Sequence, residues 1–346
     1  MFNKKVWGSL VLAATLLVSA GCGSTAKTND ESSTDTAAAS GDKVYNIAIS
    51  QIVEHPALDA TREGFIAALK DGGFVEGQNL KIDYNNAQGD QTNNLSIAQK
   101  VASDKNDLIL AIATPSAQAV VQQVTDKPVL FAAVTDPIAA DIVTNLDQPG
   151  GNVTGASDTN PEAIAQLMKF ISTNFPNVKK LGLIINEGET NAVVMADKAK
   201  EELDKYGIEL VKAPITNTSE VKQAAESLVG RVDAFYVTLD NMVVNGFDAI
   251  VQTANDNHIP LFSSDRDTVE NGSFATVGFK YYDHGYQVGQ MAVDILKNGK
   301  NPGEMNITVP EKLDLILNLK AAEAQGITVT DAMKAEVKDA ANDIVE

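Results

Sequence analysis

The chain has 346 residues and a single cysteine, Cys22, so no intramolecular disulfide can brace it. It has one tryptophan, Trp7, and aromatic residues make up only 5% of it. Any aromatic binding surface must therefore be built from a few tyrosines and phenylalanines. Histidine is scarce too. His55, His258 and His284 stand far apart, and with one cysteine they offer no spacing for a transition-metal site. Basic residues are few: 27 Lys and Arg against 46 Asp and Glu leave a net charge of -19. That excludes nucleic acid as a partner, because phosphate contacts need clustered cations. There is no Gly-x-Ser-x-Gly elbow, no P-loop and no Gly-x-Gly-x-x-Gly after the first strand. Neither an enzyme nor a bound cofactor is expected.

What is present begins with a processing signal. Lys4 and Lys5 precede an apolar run over residues 6–20, too short for a comfortable membrane span. Residues 1–21 read as a signal peptide. Ser19-Ala20-Gly21-Cys22-Gly23 then resembles a bacterial lipobox, with Ser19 where leucine is usual. That resemblance implies lipidation of Cys22 and attachment to the outer face of the cell membrane. Residues 22–43 are rich in Ser, Thr, Ala and Asp and read as a flexible tether. Cleavage removes Trp7, so the mature protein should contain no tryptophan.

The folded part is organised around Ala113-Thr114-Pro115-Ser116-Ala117-Gln118, which follows the apolar run 108–112. A buried strand ends there and a helix begins. Thr114 suits the N-cap and Pro115 the first turn. Such a helix start favours an anion. A matching corner follows the apolar run 129–134, at Thr135-Asp136-Pro137. Strands are expected at 46–50, 80–84, 108–113 and 129–134, with helices after Pro56 and over 91–104 and 116–125.

After Gly150-Gly151 the order repeats. Strands are expected at 181–186, 208–211, 234–240 and 259–263, with helices at 191–206, 218–229 and 245–257. Alternating strand and helix with short loops predicts two parallel-sheet α/β domains. The tail predicts a strand at 274–279, a helix at 283–298, strands at 306–310 and 313–317, and an acidic helix over 331–346.

Four stretches carry a family resemblance. They are Gln51-Ile52-Val53-Glu54-His55-Pro56-Ala57-Leu58-Asp59, Ala113-Thr114-Pro115-Ser116-Ala117-Gln118, Thr135-Asp136-Pro137 and Gly155-Ala156-Ser157-Asp158. The chain from 44 to about 328 resembles bacterial ABC-transporter substrate-binding proteins, nearest the group of tryptophan- and tyrosine-binding lipoproteins. The resemblance implies a type I periplasmic-binding-protein fold: two Rossmann-like lobes, three crossovers and a ligand cleft. On that frame the N-terminal lobe is 44–155 plus 280–303, and the C-terminal lobe is 156–279 plus 304–330. Hinges are expected near 155–157, 277–279 and 301–303. The implied partners are a small amino acid, aromatic by resemblance, and an ABC permease, with the protein itself a monomer.

Strand-to-helix corners facing one cleft supply the candidate site. The first lobe offers Gln51, Glu54, Ala113, Thr114, Ser116, Thr135 and Asp136. The crossovers offer Ser157, Asp158 and Phe279. The second lobe offers Asn186 with Glu189, Asp240, Asn241, Ser264 and Asp265. The Thr114 corner suits a ligand carboxylate, and Asp158, Asp136 or Asp240 its ammonium. The same Asp and Ser residues could serve only as helix caps. Phe279, Tyr281 and Tyr282 could stack on an aromatic ligand or pack the hinge. Asp265-Arg266-Asp267 reads as a solvated ion-pair loop or a permease contact. Alternative functions are a ligand-sensing module, or a binder of a branched-chain amino acid, peptide or sugar.

Overall fold

Short apolar runs bounded by turns build two sheets buried on both faces. The structure, a computed structural model, describes residues 43–346. Cys22, the signal peptide and most of the tether lie outside the described residues.

The first lobe runs β1 (Tyr45–Gln51), α1 (Pro56–Asp71), β2 (Leu80–Asn86), α2 (Gln91–Ser103), β3 (Leu108–Ile112), α3 (Thr114–Gln123), β4 (Val129–Val134) and β5 (Val153–Ser157). Its five strands are all parallel, in the order β2-β1-β3-β4-β5. The period of two is visible in β3. Leu108, Leu110 and Ile112 join the core on one face, and Ile109 and Ala111 the core on the other.

The second lobe runs α4 (Pro161–Asn174), β6 (Lys180–Ile185), α5 (Thr190–Asp204), β7 (Glu209–Pro214), α6 (Val221–Leu228), β8 (Ala234–Val237), α7 (Asn241–Asn245), α8 (Phe247–Asn257), β9 (Leu261–Ser263), α9 (Arg266–Glu270) and β10 (Ala275–Gly278). The chain then returns to the first lobe as α10 (Tyr281–Asn298). It ends on the second as β11 (Asp314–Asn318), α11 (Leu319–Ala324), α12 (Asp331–Glu336), α13 (Ala340–Asp343) and β12 (Ile344–Val345). The second sheet has the order β12-β11-β10-β9-β8-β6-β7, parallel except for the β10–β11 pair.

Several local expectations are corrected. The helix expected from 116 starts at Thr114, and Ala113 takes the cap position at φ 76° with no side-chain cap bond, so Thr114 is not the cap. The helix expected at 245–257 is preceded by a separate turn, α7, capped by Asp240. Residues 306–310 form no strand; Thr308 makes a single bridge to Ala156. Residues 331–346 are not one helix but two short helices and an edge strand. The tail is fastened instead by Arg266, whose guanidinium bonds Asp343 Oδ1 at 2.7 Å, Glu270 Oε1 at 2.7 Å and the Asn342 carbonyl. Arg266 is therefore buried and paired within the chain, not part of a solvated loop. The first crossing falls at 158–160, because β5 stays in the first sheet through Ser157. Ile307 and Thr308 also remain with the first lobe, bonded to Leu146 and Gly155.

α10 lies against α1 closely enough to exclude side chains. A Cβ on Gly285 would sit 1.9 Å from the Thr61 carbonyl oxygen, and one on Gly64 2.0 Å from that of Tyr282. Gly285→Ala should therefore destabilise the fold by about 2 kcal/mol in urea unfolding, against its gain in helix propensity. The exposed Gln290→Ala on the same helix should change stability by less than about 0.5 kcal/mol. Equal stability of the two variants would refute this packing.

Candidate functional site

The carboxyl ends of both sets of parallel strands face each other across a narrow cavity. The first lobe lines it with His55, Ala57 and Leu58 at the start of α1, and with Ala133, Thr135 and Tyr281. Asp158, just after β5, lies at the first crossing. The second lobe supplies Asn191, Leu239, Asn241, Val244 and Asp265. The lobes touch directly: His55 Nε2 lies 3.4 Å from Asn241 Oδ1, and Lys198 Nζ lies 3.6 Å from Asp136 Oδ2.

Supporting residues hold this lining. Glu189 accepts from the side-chain amides of Asn191 at 2.9 Å and Asn241 at 2.6 Å. Ala133 has a left-handed φ of 54°, and its N–H donates to His284 Nε2 at 3.0 Å. Burial lowers His284 to about 4, so the ring is neutral and can accept. The Tyr281 hydroxyl donates to Asp158 Oδ2 at 3.0 Å.

The charges are one-sided. Burial pushes the Asp158 carboxyl up to about 6, although bonds from Tyr281 and Thr159 favour its ionised form. Burial does the same to Asp265, which caps α9 through Thr268. No lysine or arginine lines the cavity. A cation is therefore the group that its two carboxylates can neutralise. The start of α1 carries the opposite polarity. α1 has proline in its first turn and no side-chain cap, and the N–H groups of Ala57 and Leu58 have no intrahelical acceptor. Leu58, Leu239, Val244 and Tyr281 supply apolar surface between these poles.

A family model described as "ABC transporter substrate binding protein" matches residues 46–341. The chain belongs to that family. This substrate-binding protein is 39% identical to a "Tyrosine-binding protein" of Clostridioides difficile over 331 residues, 95% of either chain. Two solved structures share its fold and between 32% and 40% of its residues. A domain from Streptococcus pneumonia in complex with L-Trp is 32% identical, with TM-score 0.81, covering 88% of this chain and all of that one. A ligand-free, open substrate-binding protein from Clostridium difficile is 40% identical but has TM-score 0.63, covering 87% of this chain and 98% of that one. Over the whole chain the fold therefore matches the L-Trp complex more closely than the open form. The likeness extends, as fold alone, to a leucine-binding protein of Thermotoga maritima at 14% identity and TM-score 0.55. The family is one of extracytoplasmic solute binders. Among the described residues, no helix is long and apolar enough to cross a membrane.

Of the residues picked from the sequence, the substrate-binding protein brings Thr135, Asp158, Asn241 and Asp265 to the cavity. Phe279 and Ser264 border an adjoining cavity with Asp158, and Glu54 borders another that shares His55 and Asp265. The others do not border the cavity between the lobes. Gln51 is spent inside the first lobe, accepting from Arg62 and donating to Asp59. Thr114 accepts from the Thr135 N–H, and Ser116 donates to Asn94. With Ala113 they form a buried joint rather than an anion site. Ser157 donates to the Thr135 carbonyl. Asp136 caps its own turn through Ile138 and Ala139. Asp240 accepts from Asn186 and Val243, a cap and not an open carboxylate, and Asn186 closes a turn with Gly188. Tyr282 is 43% exposed and does not stack here. His55, Asn191, Leu239 and Val244 were missed. Pro56 as a helix-starting residue was the available signal for His55.

The raised Asp158 carboxyl fixes a sign. It holds a proton in the fold that it would release when unfolded. Its stabilisation is complete below about pH 4 and lost as pH rises through 6. Asp158→Asn, which mimics the protonated form, should gain about 2–3 kcal/mol on the wild type between pH 4 and 7.5. Urea unfolding of the ligand-free proteins measures this. A pH-independent difference would contradict it.

Proposed function

We propose that this substrate-binding protein captures an aromatic amino acid, tyrosine or tryptophan, and delivers it as a monomer to the permease of an ABC importer. One observation carries the reading. The cavity sets two carboxylates, with no lysine or arginine, against an uncapped helix start, which matches an ammonium and a carboxylate on one small zwitterion. The tyrosine-binding relative and the L-Trp complex support the aromatic side chain. Closure of the lobes around the ligand is the state that the permease would read, with no chemical change to the ligand. Asp158 is the main ammonium partner and Asp265 the second. Of the other sequence-derived residues, Thr135 and Asn241 complete the lining.

Calorimetry should find L-tyrosine or L-tryptophan binding well below millimolar concentration at pH 7.5. Asp158→Ala should weaken it thirtyfold or more, for a loss of roughly 2–5 kcal/mol. Affinity should fall as pH drops through 6, approaching about tenfold per unit, because the ammonium binds the ionised carboxylate. Binding of a branched-chain amino acid, peptide or sugar in place of all aromatics would overturn the ligand assignment.

The N-terminal signal completes the proposal: removal of residues 1–21 and lipidation of Cys22 anchor the protein to the cell membrane. Metabolic labelling with a fatty acid should mark the wild type and not Cys22→Ala. Equal labelling of both would refute the anchor.

A further inference from the structure

Two neutral acceptors on residues that border the cavity have no partner. His55 Nδ1 and Asn191 Oδ1 are both buried and make no hydrogen bond. His55 is 9% exposed and Asn191 2%. The surrounding network settles what each atom can do. Asn241 Nδ2 donates to Glu189 Oε2 at 2.6 Å, so it is Asn241 Oδ1, an acceptor, that faces His55 Nε2 at 3.4 Å. The proton of the neutral ring therefore sits on Nε2, and Nδ1 offers a lone pair. Asn191 Nδ2 donates to Glu189 Oε2 at 2.9 Å and to the Leu239 carbonyl at 2.6 Å. Its Oδ1 is then the free acceptor.

The count of donors follows. An ammonium carries three N–H groups. Asp158 and Asp265 compete for them with full charge, and charge-assisted bonds win over neutral ones. His55 Nδ1 and Asn191 Oδ1 together bring the acceptor-bearing groups to four. The side chains that could donate in return are already engaged: Tyr281 and Thr135 on Asp158, and Asn241 and Asn191 on Glu189. A ligand whose only donors are on its ammonium leaves a buried acceptor unpaired, and that deficit is what a selective site uses to reject it.

We infer that the cavity selects its ligand by a neutral N–H or O–H donor on the side chain, received by whichever of His55 Nδ1 and Asn191 Oδ1 the ammonium leaves free. An indole or a phenol meets that demand, and a bare phenyl ring does not. The inference rests on the reading of the cavity as an amino-acid site. It adds that phenylalanine is excluded by chemistry, since its ring is smaller than either accepted one and would fit by size.

Calorimetry on the wild-type protein with two matched pairs tests this. L-Tyrosine is compared with L-phenylalanine, and L-tryptophan with 3-(3-benzothienyl)-L-alanine, which carries sulfur in place of the indole N–H. For the parent that binds more tightly, the analogue lacking the donor should bind at least about thirtyfold more weakly. In His55→Leu and in Asn191→Ala the ratio should shrink, with the parent falling toward its analogue. A parent that binds while its analogue follows within about threefold overturns the inference, and water then serves both acceptors. Because the decisive ratio is measured on the wild type, it stands even where a variant fails to fold. If no aromatic amino acid binds, the ligand reading falls and this inference with it, an outcome distinct from binding without discrimination.

Discussion

The seam between α1 and α10 is the constraint from which the site follows. α10 comes more than two hundred residues after α1, yet Gly64, Gly285 and Gly289 let the two backbones meet where any side chain would collide. The seam fixes the start of α1, and with it His55 and the free N–H groups of Ala57 and Leu58. It equally fixes the start of α10, which places Tyr281 against Asp158 and His284 against the Ala133 N–H. One helix pair thus sets half the cavity lining, and packing there is worth more to binding than its distance from any ligand atom suggests.

The other half depends on buried charge. Asp158 and Asp265 sit in a place where ionisation is costly and no cationic side chain offsets it. A structure that tolerates this stores an affinity for a cation in its empty state, released when the cation arrives. Glu189 is a different kind of buried acid. Its bonds to Asn191 and Asn241 keep those amides from turning, so their oxygens have a defined direction. Two of these acids border the cavity and one holds its neighbours, and burial alone does not tell them apart. Their partners do.

Much of this was legible in the residues. Apolar runs such as 234–237 and 261–263 demanded strands covered on both faces, and the corners after β5, β8 and β9 carry Asp158, Asn241 and Asp265, which line the cavity. The reading failed where a role depends on one distant partner. Gln51 has the right type and place but is taken up by Arg62, and Asp240 by Asn186. The Thr114 corner failed for a local reason: Ala113 in a left-handed conformation starts the helix one residue early and turns Thr114 toward Thr135. Nothing in a pattern of hydrophobicity signals a positive φ at alanine. His55 was weighed only as a metal ligand, and its contact lies 186 residues away in the other lobe. The tail broke the helix rule because Arg266 binds Asp343 and Asn342, leaving Ile344 and Val345 extended.

That final two-residue strand has a consequence for how the molecule meets its own kind. A sheet whose last strand is long and bare offers unpaired backbone groups to any neighbouring chain. Here β12 pairs with β11 over two residues, while the opposite edge, β7, carries Lys212 and finishes in Pro214. The first sheet is treated alike: Thr308 caps β5, and β2 shows Lys81 and the ion-paired Asp83 outward. Among the described residues each sheet border is thus short, charged or occupied, which leaves little continuous backbone for a neighbouring strand to pair with.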